Sequence, residues 1–133
     1  MFDAEEAVPR TILCIDGKPE ALEVWKTALE GAGFRVLATT SGNAGIELFH
    51  QGGVDLVVVD LKSRDTHGAE VARQLRKLSP QLPVVMLCGS YWWPPEAALE
   101  FVSALVIKGD GAQAIVDKVQ ELLAAPAPAA KQS

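Results

Sequence analysis

The sequence has few cysteines, no excess of basic residues and no long apolar run, and each shortage excludes a class of protein. Its two cysteines, Cys14 and Cys88, are too few for a disulfide framework and lack the partners of a zinc site. Both lie in apolar segments, so we expect buried side chains without a redox role. No apolar run approaches the length of a membrane span, and no secretion signal opens the chain. We therefore expect a cytoplasmic protein that does not contact a membrane.

Basic residues are outnumbered, with 12 Lys and Arg against 17 Asp and Glu and a net charge of −5. A domain that binds nucleic acid usually presents a basic face, so we exclude nucleic acid as a direct partner. The 133 residues, 49% of them hydrophobic and 22% charged, fit one globular domain. We place that domain at 11–123, between a flexible N-terminal segment at 1–10 and a disordered Ala/Pro tail at 124–133.

The middle of the chain alternates between short apolar runs and segments with helical periodicity. The apolar runs predict strands at 11–16, 34–39, 54–60, 82–88 and 104–107. Between them, Pro19 opens a first helix, Ser41 caps a second, and a third stops before Pro80. Residues 96–101 can form only a short helix, and 112–123 form the last one. Five strands alternating with five helices predict an α/β fold, a doubly wound parallel sheet with helices on both faces.

Three charged residues stand at or just after predicted strand ends: Asp16, Asp60 and Lys108. Cys88 ends the fourth strand. The reactive crevice of an open parallel sheet lies at the carboxyl ends of its strands. Acids and a lysine at such an edge are costly to desolvate unless they bind a ligand or one another. Because Asp60 ends the most apolar strand, a paired-acid site is favoured over carboxylates that only cap turns.

Five short segments, taken in order, have the pattern of a known family. They are Ile-Leu-Cys-Ile-Asp-Gly-Lys-Pro (12–19), Asp-Leu-Val-Val-Val-Asp-Leu (55–61), His-Gly (67–68), Leu-Pro-Val-Val-Met-Leu (82–87) and Val-Ile-Lys (106–108). No segment is specific alone. Their order and spacing resemble the receiver domain of bacterial two-component response regulators across 11–123.

The resemblance implies a flavodoxin-like sheet of strand order 2-1-3-4-5 and a role in phosphorelay signal transduction. Asp60 would accept a phosphoryl group from a sensor histidine kinase or a phosphotransfer protein, and Lys108 would pair with Asp60 and then with the phosphoryl group. Mg²⁺ would be held by Asp16, Asp60 and the backbone carbonyl of Lys62. Cys88 occupies the position of a hydroxyl residue that donates to the phosphoryl oxygens. Such a domain signals by conformational change and is not an enzyme beyond its own phosphorylation and dephosphorylation.

The sequence departs from the family pattern at several positions, and three of these departures bear on the site. Gly17 replaces the second of two adjacent acids, so Mg²⁺ should bind more weakly, and the ammonium of Lys62 is a candidate fixed cation in its place. The thiol of Cys88 is a weaker donor than a hydroxyl. Leu105 replaces an aromatic residue that rotates in the family.

These departures leave an alternative open, a pseudo-receiver that binds other proteins without phosphorylation. A phosphatase with an aspartate nucleophile is disfavoured, because Lys62 stands where that class has a second acid. The segment Tyr91, Trp92 and Trp93 has two interpretations of equal weight: contact with an unknown output partner, or packing over the short fourth helix.

Overall fold

The computed structural model describes residues 8–89 and 96–124, which build a sheet between two layers of helices. The strands are β1 (Thr11–Ile15), β2 (Arg35–Thr39), β3 (Leu56–Asp60), β4 (Val84–Cys88) and β5 (Ala104–Ile107). The α-helices are α1 (Pro19–Gly31), α2 (Gly42–His50), α3 (Gly68–Leu78) and α4 (Ala112–Ala124). Short 3-10 helices at Glu96–Phe101 and Lys108–Asp110 flank β5.

The strands are parallel and lie in the order β2-β1-β3-β4-β5, which confirms the predicted doubly wound α/β fold. Every residue of β1, β3 and β4 is buried, because helices cover both faces of the sheet. This explains why these strands are continuous apolar runs in the sequence. Since β1 and β3 are neighbours, the residues at their carboxyl ends meet at one edge.

Alternate side chains along each strand build one core on each face of the sheet. On the first face, Ile12 and Val58 pack with α1 and α4. On the second face, Leu13 and Val59 pack with α2 and α3. Trp25 is a buried residue of α1 and belongs to the first core.

The helix starts agree with the sequence signals. Pro19 is the first residue of α1, where a missing N–H costs nothing. The hydroxyl of Ser41 accepts a hydrogen bond of 3.0 Å from the N–H of Ala44 and so caps α2. The predicted short helix at 96–101 is a 3-10 helix with those bounds, so the described residues hold four α-helices where the sequence suggested five.

Three strands begin later than predicted, each for a local reason. Phe34 completes the turn after α1, donating its N–H to the carbonyl of Leu29 at 3.1 Å. Asp55 precedes β3, and its carboxylate accepts the N–H of Thr11 at 2.7 Å. Pro83 precedes β4 and has no N–H for the ladder.

Several predictions concern residues outside the described ranges. The Tyr91–Trp93 segment lies there, as do most of 1–10 and of 124–133, so their predicted roles stay predictions. Among the helices within 8–89 and 96–124, none is both long enough and apolar enough to cross a membrane.

Candidate functional site

Two acids and a lysine meet at the carboxyl edge of the sheet. Asp16 follows β1 directly, Asp60 is the last residue of β3, and Lys108 follows β5. The Nζ of Lys108 lies 3.0 Å from Oδ2 of Asp16 and 3.2 Å from Oδ2 of Asp60. The structure therefore brings together the three charged residues that the sequence places at this edge.

Asp16 is fully buried, and both of its carboxylate oxygens accept hydrogen bonds. Oδ1 accepts the backbone N–H of Lys18 at 2.9 Å, and Oδ2 accepts the indole N–H of Trp25 at 2.9 Å. Oδ2 also forms the ion pair with Lys108. A buried carboxylate is tolerated only where such donors replace water. Asp16 is therefore held in one position by donors to both of its oxygens.

The helical periodicity of the sequence places Trp25 on an apolar face and does not indicate its contact with Asp16. A usable signal was present, because a buried indole N–H generally requires an acceptor. Asp16 directly follows β1, and Trp25 lies nine residues later in α1, the next element of the chain.

Asp60 is the more accessible acid, with 8% of its surface exposed. Burial, and then the charge of Asp16, raise the pKa of Asp60, while Lys108 and the backbone N–H of Lys62 offset part of the rise. Burial alone would lower the pKa of Lys108, but the hydrogen bonds and charges of both acids outweigh it and raise that pKa. Lys108 thus stabilises the ionised form of Asp60.

A cleft of about 240 Å³ opens over Asp60 and has a strongly basic lining: Lys18, Asp60, Leu61, Lys62, Gly89 and Lys108. Lys62 was already a candidate fixed cation from the sequence, whereas Lys18 was not among the predicted site residues. Lys18 could have been included, since it stands two residues after Asp16 and so close to the same edge.

The loop after β3 carries Lys62 and is attached to the start of α2. The carboxylate of Asp65 accepts the Ser41 hydroxyl at 2.6 Å and the first backbone N–H of α2 at 2.8 Å. The hydrogen bond from Ser41 is the main cause that lowers the pKa of Asp65. The N–H of Arg64 donates to the carbonyl of Thr40 at 3.1 Å. These contacts fix the position of the loop beside the cleft.

Gly17 lies directly under this loop. A Cβ atom at Gly17 would lie 3.2 Å from the carbonyl oxygen of Lys62 and 3.3 Å from the backbone nitrogen of Arg64. The same Lys62 carbonyl, which the resemblance assigns to the metal, accepts the N–H of Gly17 at 3.4 Å. Position 17, where glycine replaces the second acid, is thus the place where the backbone of the loop after β3 comes closest to the end of β1.

Cys88 is fully buried in the core beneath the cleft. Burial, and then the charge of Asp60, raise the pKa of its thiol, which makes it a poor nucleophile. Burial and Asp16 raise the pKa of Cys14 to about 12. Both cysteines are free and buried, as predicted.

The residues present fit a magnesium ion poorly. Magnesium is bound by carboxylate, carbonyl and water oxygens. Here Asp16 is occupied by nitrogen donors, and Asp60 shares its charge with Lys108. The described part of the chain contains no group of three or more His, Cys, Asp or Glu side chains able to hold a metal ion. The weak magnesium binding that Gly17 predicts stays a prediction.

The fold and the site define a class of protein: a doubly wound α/β domain with two acids and a lysine at the carboxyl edge of its sheet. A family model described as the response regulator receiver domain matches residues 12–100, more than half of the chain. The chain therefore belongs to the response regulator receiver domain family. The transcriptional regulatory protein GlrR of Escherichia coli K12 is 27% identical over 123 residues, which are 91% of this chain and 28% of GlrR. The chain thus spans less than a third of that relative.

Solved structures have the same fold. A putative response regulator from Chloroflexus aurantiacus superposes with a TM-score of 0.81 at 24% identity, covering 89% of this chain and 100% of that one. The response regulator TrrA of Thermotoga maritima, in complex with Mg²⁺-BeF, has a TM-score of 0.79 at 24% identity over 85% of this chain and 98% of its own. A further structure contains TrrA in complex with the histidine kinase ThkA.

Proposed function

We propose that this chain accepts a phosphoryl group on Asp60 from a sensor histidine kinase or a phosphotransfer protein. One observation carries the proposal: Asp60 lines an open cleft, with the Nζ of Lys108 3.2 Å from its Oδ2 atom. Phosphoryl transfer to a carboxylate needs an oxygen nucleophile beside a cation that neutralises the phosphoryl oxygens. The complex of TrrA with a histidine kinase supports this class of donor.

The transfer exchanges one bond for another. An oxygen of Asp60 attacks the phosphorus of a phosphohistidine, an O–P bond forms and the P–N bond breaks. The imidazole leaves as a neutral ring when its other nitrogen carries a proton. Because the pKa of Asp60 is raised, its carboxylate forms at higher pH than that of an ordinary aspartate. As the pH is lowered, the rate of transfer should therefore begin to fall at a higher pH than with an ordinary aspartate.

Lys108 is the element that would convert phosphorylation into a signal. It contacts both acids before transfer, and the phosphoryl oxygens would compete for its ammonium group. A shift of Lys108 would move the start of the 3-10 helix that joins β5 to α4. The output partner, with the Tyr91–Trp93 segment as its candidate contact, and the cytoplasmic location stay predictions.

A second function, a protein-interaction module that works without phosphorylation, is favoured by the state of Asp16. Both of its oxygens are occupied by protein donors, and Gly17 supplies no second carboxylate. Such a domain would keep the fold and the Lys108 ion pairs as structural elements. The two functions differ in whether Asp60 reacts.

Intact-mass spectrometry after incubation with phosphoramidate tests the proposal. We expect one phosphoryl adduct on the wild type and none on Asp60→Asn, because Asp60 is the carboxylate that lines the cleft. The Asp110→Asn variant, which removes an exposed carboxylate two residues beyond Lys108, should still be labelled. The reaction is run with and without Mg²⁺. A wild type that stays unmodified in both conditions would contradict the proposal and favour the interaction module.

Gly17→Asp should tighten Mg²⁺ binding at least about tenfold. A unit charge about 4 Å from the ion is worth up to ~4 kcal/mol at intermediate dielectric, and the small loop shift that the new Cβ requires reduces this gain. Isothermal titration with MgCl₂ measures the change. Gly31→Asp is the matched control, because it adds the same charge at the far end of α1, where a Cβ meets nothing within 4 Å. Equal affinities in both variants would show that position 17 has no part in metal binding.

A further inference from the structure

One carboxylate oxygen of Asp16 is shared by donors from two different elements. The indole N–H of Trp25, in α1, donates to Oδ2 at 2.9 Å, and the Nζ of Lys108, after β5, lies 3.0 Å from the same oxygen. An ionised carboxylate has about four lone-pair sites, about two on each oxygen. The indole and the ammonium group therefore divide Oδ2 between them.

The other oxygen of Asp16 limits the rotation of the carboxylate. Oδ1 accepts the backbone N–H of Lys18, the residue just before α1, at 2.9 Å. The carboxylate thus has one donor from the turn before α1 on Oδ1 and one from α1 itself on Oδ2. Donors on both oxygens fix the plane of the carboxylate, and that plane determines where Lys108 makes its contact.

Lys108 stands between two acids that compete for its ammonium group. Its Nζ lies 3.0 Å from Oδ2 of Asp16 and 3.2 Å from Oδ2 of Asp60. A buried carboxylate with fewer other donors attracts an ammonium group more strongly, because the cation then has to replace more of the lost water. The indole N–H of Trp25 meets part of that need at Asp16, which allows Lys108 to contact Asp60 as well.

Packing keeps the indole where it donates. Trp25 is buried and belongs to the same core cluster as Leu22 and Leu29, the other buried residues of α1. Any large apolar side chain would fill a place in this core, whereas the indole also adds an N–H donor. Trp25 thus gives Asp16 a donor that core packing alone does not require.

We propose that Trp25 is a positioning residue of this site, which acts through Asp16 to keep Lys108 in contact with Asp60. Among the described residues, those that line the cleft over Asp60 do not include Trp25, so its effect is indirect. The inference rests on the proposed function only where phosphoryl transfer is the readout. The position of the ammonium group is a property of the unphosphorylated protein and can be measured separately.

The first test follows the Lys108 ammonium group by ¹H–¹⁵N NMR of the full chain with ¹⁵N-labelled lysine. In the wild type we expect an Nζ signal whose protons exchange slowly with water, assigned by its loss in Lys108→Met. Trp25→Phe keeps an aromatic ring and removes the N–H that Asp16 accepts. It should speed the exchange at least about threefold, because Lys108 is then drawn to Asp16 and away from Asp60.

Leu29→Val is the matched control, since it thins the same core from the same helix without touching a donor to Asp16. It should lower thermal stability and leave the exchange of the Lys108 signal unchanged. Equal exchange rates in the two variants would overturn the proposal and make Trp25 a packing residue. A wild type without a slowly exchanging Lys108 signal would overturn it as well, because no fixed ammonium group would exist to be positioned.

A double-variant cycle tests whether the effect passes through Asp16. An amide in place of this carboxylate forms no ion pair with Lys108, so the loss of the indole has no charge to redistribute. In an Asp16→Asn background, Trp25→Phe should therefore leave the exchange rate within about 1.5-fold. The same acceleration as in the wild-type background would show that Trp25 acts by another route and would overturn the assignment.

Phosphoramidate labelling is the second readout. Trp25→Phe should slow the formation of the Asp60 adduct about tenfold, and Leu29→Val less than about twofold, because a small misplacement of Lys108 is costly in the transfer step. Faster ammonium exchange with an unchanged labelling rate would overturn the positioning role. A wild type that is never labelled would contradict the proposed function, and the ammonium exchange would still decide whether Trp25 positions Lys108.

Discussion

Gly68→Ala is expected to lower the free energy of unfolding by at least about 3 kcal/mol, the upper range for overpacking at a rigid site. Gly68 is the first residue of α3, and its N–H donates to the carbonyl of Leu61 at 2.8 Å. A Cβ there would overlap the backbone carbonyl oxygen of Asp60 and lie 2.9 Å from its carbonyl carbon. Backbone atoms of a central strand cannot turn aside as a flexible side chain can. Relief would therefore displace either α3 or the strand end that carries Asp60.

Urea denaturation of the wild type and two alanine variants measures this effect. Gly31→Ala is the matched control, since a Cβ at Gly31 meets nothing within 4 Å. It should be neutral or stabilise α1 by up to about 1 kcal/mol. A Gly68→Ala protein within about 0.5 kcal/mol of the wild type would show that the α3 start is not held against β3. We also expect the Gly68→Ala protein to lose its labelling by phosphoramidate along with its stability.

Lys108→Met is expected to cost about 3 kcal/mol at pH 7, the low end for breaking a buried ion pair because 22% of the lysine side chain is exposed. The variant leaves Asp16 and Asp60, both buried, without their shared cation. The pKa of Asp60 should rise further, since Lys108 offsets more of the effect of burial than the backbone N–H of Lys62 does. A raised folded-state pKa means that the folded protein gains protons first as the pH falls. The stability difference from the wild type should therefore be largest near neutral pH and shrink towards pH 4.

Thermal unfolding across pH 4–8 follows this difference, with Lys118→Met as the control. Lys118 also forms an ion pair, with Glu121 at 3.0 Å, but its side chain is 34% exposed and that of Glu121 66%. Its loss should change stability by less than about 1 kcal/mol at any pH. Adding Asp60→Asn to Lys108→Met should recover much of the lost stability, because one of the two facing carboxylates is gone. A deficit that is the same at every pH would contradict the electrostatic explanation and indicate lost packing of the lysine stem.

The sheet could be predicted from the sequence, because strands that are buried on both faces appear as continuous apolar runs. The run that ends at Asp60 has a branched apolar side chain at almost every position, which only a central parallel strand requires. The sequence was also sufficient to bring Asp16, Asp60 and Lys108 to one edge, since strand ends alone determine that. The hydrogen bond of Trp25 could not be predicted in this way, because helical periodicity does not distinguish an indole that donates to a carboxylate from any other core residue. Lys18 and the backbone above Gly17 were missed for a related reason: both depend on how loops approach each other, which periodicity does not report.

Because of the hydrogen bonds of Asp65, we expect the β3–α3 loop and the first turn of α2 to open as a single cooperative unit in native-state hydrogen exchange. Opening the loop breaks the bonds from the Ser41 hydroxyl and the first N–H of α2 at the same time. It also frees the N–H of Arg64 from Thr40, so amides of the loop and of α2 should become exchangeable in one event. A ligand that contacts Lys62 would thus slow exchange in α2, a helix that does not line the cleft.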